Sequence, residues 1–224
     1  MHWMDGPWAA EVNSLVAGIF LLCSFGLLAA SQAIGCIKIY RIQSIFLVLG
    51  AAIMAASTGN SNLWIVVAIG LITKVLLIPF LIRRIVRREM IARRELQQVR
   101  SVPVSLLIGL ILCGVGYFVT APLLAHTSTF IQDDLPIGFS AVLIAVYTIT
   151  VRREALPQLL SLLAIENGAF FAGDAIAPNF PLIGELAACF DVAMIVLVLG
   201  VLSTQIHRVS GSTQVGSLSE LKEI

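Results

Sequence analysis

Seven apolar stretches divide this chain, near residues 12–34, 42–58, 63–82, 104–124, 135–151, 156–175 and 183–206, and no other feature limits its folding as strongly. About 20 residues of α-helix cross roughly 30 Å of hydrocarbon. Inside that medium the backbone must satisfy its own hydrogen bonds, which leaves the helix as the spanning element for stretches of this length. With 58% hydrophobic and 12% charged residues and a mean hydropathy of +0.98, the composition is that of a membrane protein rather than a soluble domain. The expectation is an all-α, polytopic transmembrane helix bundle of about seven helices. The second and fifth stretches are short, so six helices plus a re-entrant piece is the competing count.

Charge placement orients the bundle. Of the 14 Lys and Arg residues, all except Lys74 fall on one side of a seven-span chain: Lys38 and Arg41 in the first loop, Arg83 to Arg100 in the third, Arg152 and Arg153 in the fifth, Arg208 and Lys222 in the tail. The opposite loops, STGNSN, AHTSTFIQDDLP and GDAIAPNFP, have neither. The positive-inside rule then puts the N-terminus outside and the C-terminus in the cytoplasm. LLAASQA loosely resembles a signal-peptide cleavage site, but Asp5 and Glu11 precede the first stretch without any basic residue, so it reads as a retained helix. Between Arg83 and Arg100 seven arginines outweigh Glu89 and Glu95. This segment reads either as a positive-inside anchor at the headgroups or as a docking surface for a cytoplasmic partner or anionic lipid.

Organisation follows from the same pattern. Three spans starting outside, one return helix and three further spans starting outside describe two parallel three-helix repeats joined by a linking helix. Gln43 opens RIQSIFLVLGAAIMAAS as Gln158 opens LPQLLSLLAIENGAFFAG, and each following helix carries one buried charge. The expected units are 1–82, a basic connector over 83–103, a linking helix and outer loop over 104–134, a second three-helix unit over 135–207, and a cytoplasmic tail over 208–224.

Redox and metal chemistry find no residues here. Cys23, Cys36, Cys113 and Cys189 are spread one to a segment without a CxxC pair, and His2, His126 and His207 lie at termini, loops or helix ends. No haem ligand pair, phosphate-binding glycine loop or nucleophile motif is present. The reading is of a chain without cofactor, metal or active site of its own, and without a nucleic-acid partner.

Three ionisable residues nevertheless lie deep within the apolar stretches: Lys74 in AIGLITKVLLIPF, Glu166 in LLSLLAIENGAFF and Asp191 in ELAACFDVAMIVL. A charge at the bilayer centre costs about 2.5 to 3.5 kcal/mol even on the lenient insertion scale, which makes such residues functional candidates. At 1.5 Å per residue, Lys74 is about 13 Å from Arg83, Glu166 about 20 Å from Arg153, and Asp191 about 15 Å from Pro181. A buried carboxyl raised by desolvation and lowered by a nearby cation can change protonation as its neighbours move, the property a proton relay needs. Lys74 reads either as a working group or as the structural partner of a carboxylate, and Pro79 frees the carbonyl of Val75 close to it. Asn167, Gln158, Gln43, Arg41 and Glu185 are the supporting polar residues, Glu185 near the outer rim.

The stretch VRREALPQLLSLLAIENGAFFAG, followed by a helix with one acid and the tail IHRVSGSTQVGSLSELKEI, resembles the NuoK-type three-helix subunit of respiratory complex I and its cation-antiporter counterpart. The whole chain, with its additional N-terminal unit, resembles the hydrogenase-4 membrane component E family. The resemblance implies a membrane-arm subunit of a complex-I-related hydrogenase or formate hydrogenlyase in a bacterial or archaeal cytoplasmic membrane. Its neighbours would be large antiporter-like subunits, a quinone-site-like membrane subunit and membrane lipid, with the hydrogenase peripheral arm reached indirectly. It also implies that Glu166 takes the first of two membrane glutamate positions and Asp191 the second, each displaced along its helix. Lys74 has no counterpart in a single three-helix unit. A free-standing secondary transporter and a structural spacer subunit are the other classes these residues allow.

Overall fold

The computed structural model describes residues 7–59, 61–82, 101–124 and 134–176, together with Gly200. Every regular element among them is helical: α1 Pro7–Ala29, α2 Ala33–Thr58, α3 Ser61–Gly70, α4 Val102–Leu124, α5 Asp134–Val151 and α6 Ala155–Ile176. From Gly70 the third span continues as a π-helix over Leu71–Leu77 and returns to α-helix over residues 78–82. Five of these spans are long and apolar enough to cross a membrane, Ala10–Ala29, Ala33–Ser57, Leu63–Ile82, Val102–Leu124 and Asp134–Val151. The sixth helix has the length but carries Gln158, Glu166, Asn167 and Asp174, and it is shielded by α2 and α5, against which it packs.

Two expected boundaries shift. The first helix runs over 7–29 rather than 12–34, and α2 begins at Ala33, so Lys38 and Arg41 stand on helix turns instead of in a loop. The charged positions interrupt the hydropathy of IGCIKIYR, yet Lys38 is exposed while Cys36, Ile37 and Tyr40 are buried, an arrangement one helix accommodates by facing its charge outward. The second stretch is therefore a full-length span. It ends at Gly59, whose φ of 66° is left-handed and whose N–H caps the carbonyl of Ala55. The outer-loop assignment of Asp134 and Asp174 also changes, since they occupy the first turn of α5 and the last turns of α6. The seventh stretch, the arginine connector and the tail lie outside the described residues.

Two helix hairpins stand side by side, α1 with α2 and α5 with α6, so that α1 packs along α5 and α2 along α6. α4 covers α5 and α1, and the third span lies on α2. The α5–α6 crossing depends on small residues, because a Cβ on Gly138 would stand 2.5 Å from the backbone nitrogen of Ala172 and 2.8 Å from the carbonyl of Gly168. At the centre, Phe20 and Phe171 stack with centroids 4.6 Å apart, filling the space between α1 and α6 with Ala17, Leu47 and Ala141 around them.

Polar contacts at both ends hold α1 and α5 parallel. Asn13 Nδ2 donates to both carboxylate oxygens of buried Asp134 at 2.9 Å. At the other end Arg152, only 2% exposed, donates to the carbonyls of Leu27, Leu28 and Ala30. Those carbonyls lie at and just beyond the C-terminal end of α1, where a guanidinium meets both the terminal backbone acceptors and the negative end of the helix dipole. Arg152, expected as a water-facing inner charge, is thus a capping residue; Arg153 beside it is exposed.

Candidate functional site: a buried ion pair between the third and sixth helices

Lys74 and Glu166 meet in the middle of the bundle. Nζ of Lys74 lies 2.8 Å from Oε1 of Glu166, with the two side chains only 4% and 10% exposed. The ammonium also stands 5.5 Å from the centroid of the Phe170 ring, one turn along α6, where the ring face adds a cation–π attraction. At this depth neither charge has a headgroup to reach, and each is the opposite charge that offsets part of the other's cost of leaving water.

The backbone explains how Lys74 arrives there. Pro79 has no N–H to donate to Val75 and its ring crowds the preceding turn. The turns ahead of it widen into the π-helix, in which the N–H of Ile78 reaches the carbonyl of Thr73, and Lys74 occupies the centre of that segment. Thr73 returns its hydroxyl to the carbonyl of Ile69 at 2.8 Å. Widened turns of this kind recur where a side chain must be presented at a functional position.

Around the pair the bundle gathers further polar groups. Asn167 is buried and donates to Ser44 Oγ at 3.2 Å; Gln43 is buried and donates to Ser24 Oγ at 2.9 Å. Asp174, two turns beyond Glu166 on α6, interacts electrostatically with both Lys74 and Asp134. The bundle interior thus holds separate polar contacts, Gln43 with Ser24, Asn167 with Ser44, Lys74 with Glu166 and Asn13 with Asp134, of which the last two are linked electrostatically by Asp174.

Not every expected residue joins them. Gln158 donates to the carbonyl of Arg152 at 2.8 Å and serves the α5–α6 connection. Arg41 lines an apolar groove of about 430 Å³ with Ile72, Val75, Leu76, Leu77, Pro79 and Phe80, a lining that includes neither Lys74 nor Glu166. Asp191 and Glu185 lie outside the described residues. Conversely, Asn13, Ser24, Ser44, Asp134, Asp174 and Phe170 escaped the sequence reading. The adjacent pair Gln43–Ser44 inside an apolar helix was a visible signal for Ser44, as was the four-residue spacing of Glu166, Phe170 and Asp174 for the last two. Among the described residues no group of three His, Cys, Asp or Glu side chains could hold a metal ion.

An all-helical membrane bundle with an ion pair at its centre is the class of protein these observations define. The chain belongs to the hydrogenase-4 component E family. It is 27% identical to hydrogenase-4 component E of Escherichia coli K12 and of Shigella flexneri, over 94% of this chain and 97% of those proteins. It is also 31% identical to the uncharacterized protein Rv0085 of Mycobacterium tuberculosis, over 73% of this chain and 75% of that one. No protein-family profile and no solved structure matches it.

Proposed function

We propose that this chain is a membrane-arm subunit of a complex-I-related, membrane-bound hydrogenase and that its buried charges form part of a proton or cation translocation axis. The observation that carries the reading is the Lys74–Glu166 pair. A purely structural contact at this depth would be as well served by apolar side chains, since desolvating two charges offsets most of their attraction. A buried carboxylate paired with a lysine on another helix, in contrast, would be poised to accept a proton if the ammonium withdrew.

The family membership supports the assembly, and the sequence resemblance of the C-terminal unit to the NuoK-type subunit is in keeping with it. Redox chemistry would take place in the peripheral arm. Its energy would reach this chain through neighbouring antiporter-like and quinone-site-like subunits as a change of field at Glu166. Asp191 would provide a second station, and the N-terminus would face outward.

In the intact complex, Glu166→Gln is expected to leave assembly and hydrogenase activity with a soluble electron acceptor largely intact. Proton translocation into vesicles should fall by about 100-fold, the lower end of what one general acid–base group contributes. Pumping at the wild-type rate in that variant would overturn the reading and leave a spacer role.

A further inference from the structure

Beside the ion pair, two buried amides are only half satisfied. Gln43 and Asn167 are each 0% exposed. Each commits its N–H to a serine, Ser24 and Ser44 respectively. The carbonyl oxygens that remain, Gln43 Oε1 and Asn167 Oδ1, have no hydrogen-bond partner among the described residues. Buried acceptors are almost always paired, and where the protein supplies no donor an ordered water does. The same condition recurs where α5 ends, at Arg152 Nε and Nη1, two buried donors without a partner among the described residues.

Placement ties these atoms to Glu166. The Asn167–Ser44 bond sets α2 and α6 in register, and α2 also packs on the π-helix that carries Lys74. The three elements therefore meet at the depth of the ion pair. One turn from Ser44 toward the Arg152 end, the side chain of Tyr40 is buried on α2 among Leu160 and Leu163 of α6 and Ile78 and Ile82 of the third span. Tyr40 thus places a buried polar side chain between the level of the capping arginine and that of Ser44 and Asn167.

We propose that ordered water bound at Gln43 Oε1 and Asn167 Oδ1 forms the half of a proton path that leads from the Arg152 end of the bundle to Glu166. The proposal rests on the translocation role given above and adds its entry route. A water that donates to one of these oxygens accepts through its own lone pair from a further water on the Arg152 side. A proton handed to the Glu166 carboxylate is replaced from that side, and no water is consumed.

The test uses the complete hydrogenase complex in proteoliposomes, with Gln43→Met, Asn167→Leu and Glu166→Gln compared with wild type. Pumping is expected to fall at least threefold in the first two at unchanged redox turnover with a soluble acceptor. Wild-type pumping in both, with Glu166→Gln still impaired, overturns the water path and leaves the function of Glu166 standing. Wild-type pumping in all three overturns both. Should either amide variant fail to assemble, an experimental density map of the wild-type complex fine enough to show water decides: density within hydrogen-bond distance of both oxygens supports the path, and its absence at both overturns it.

Discussion

Lys74 and Glu166 stand 92 positions apart, and each is costly alone. Removing one partner leaves the other as an uncompensated buried charge, a loss of about 3 to 5 kcal/mol, whereas replacing both with apolar side chains is often close to neutral. Lys74→Ala should therefore lower the unfolding midpoint of the purified complex or reduce its assembled amount, and Lys74→Met with Glu166→Met should recover most of the loss while abolishing pumping. Equal instability in the single and double variants would show that packing, not charge balance, dominates at this site. Both residues were legible in the sequence, because a lone ionisable group in an apolar run announces its own cost. That Lys74 could partner a carboxylate was among the readings, but that the carboxylate is Glu166 was not, because hydropathy carries no information about which helix faces which. Asp134 and Asp174 were missed for the opposite reason: near the ends of apolar runs, a carboxylate looks solvated until its neighbours are known.

At the scale of the elements, the close α5–α6 crossing places Glu166 and Asn167 opposite the third span and α2. Gly138→Ala puts a methyl group into the backbone of Gly168 and Ala172, where nothing flexible can yield. The expected cost is about 1 to 3 kcal/mol, the range for overpacking. Gly18→Ala, with nothing within 4 Å of the added Cβ, serves as the control. Thermal denaturation of the two variants should separate them clearly, and equal midpoints would mean that the helices can part without penalty. Helix existence was readable from the length of the apolar runs, but boundaries were not. The charges of Lys38 and Arg41 made α2 look short, although a helix can carry an outward-facing charge for several turns inside its nominal span. The π-helix was foreshadowed only by Pro79, whose lost N–H predicts a disturbed turn without saying which way the turn relaxes.

For the whole molecule, the charge asymmetry of the loops predicts an outward N-terminus, and single-cysteine labelling in a background without Cys23, Cys36, Cys113 and Cys189 checks it. Cysteines replacing Glu11 and Ser31, both exposed and at opposite ends of α1, should respond differently to a membrane-impermeant reagent. The first should label in intact cells and the second only after lysis; the reverse pattern would invert the bundle. Membrane residence and helical class were determined by the sequence alone, because a run of apolar side chains long enough to span hydrocarbon has no other way to satisfy its backbone. Which polar side chains meet inside was decided only by the tertiary structure. Lipid and protein interior are equally apolar to a hydropathy scale, so the choice of partners for Lys74, Gln43, Asn167 and Arg152 depends on helix register, on the room left by Gly138 and Gly168, and on the turn that Pro79 widens.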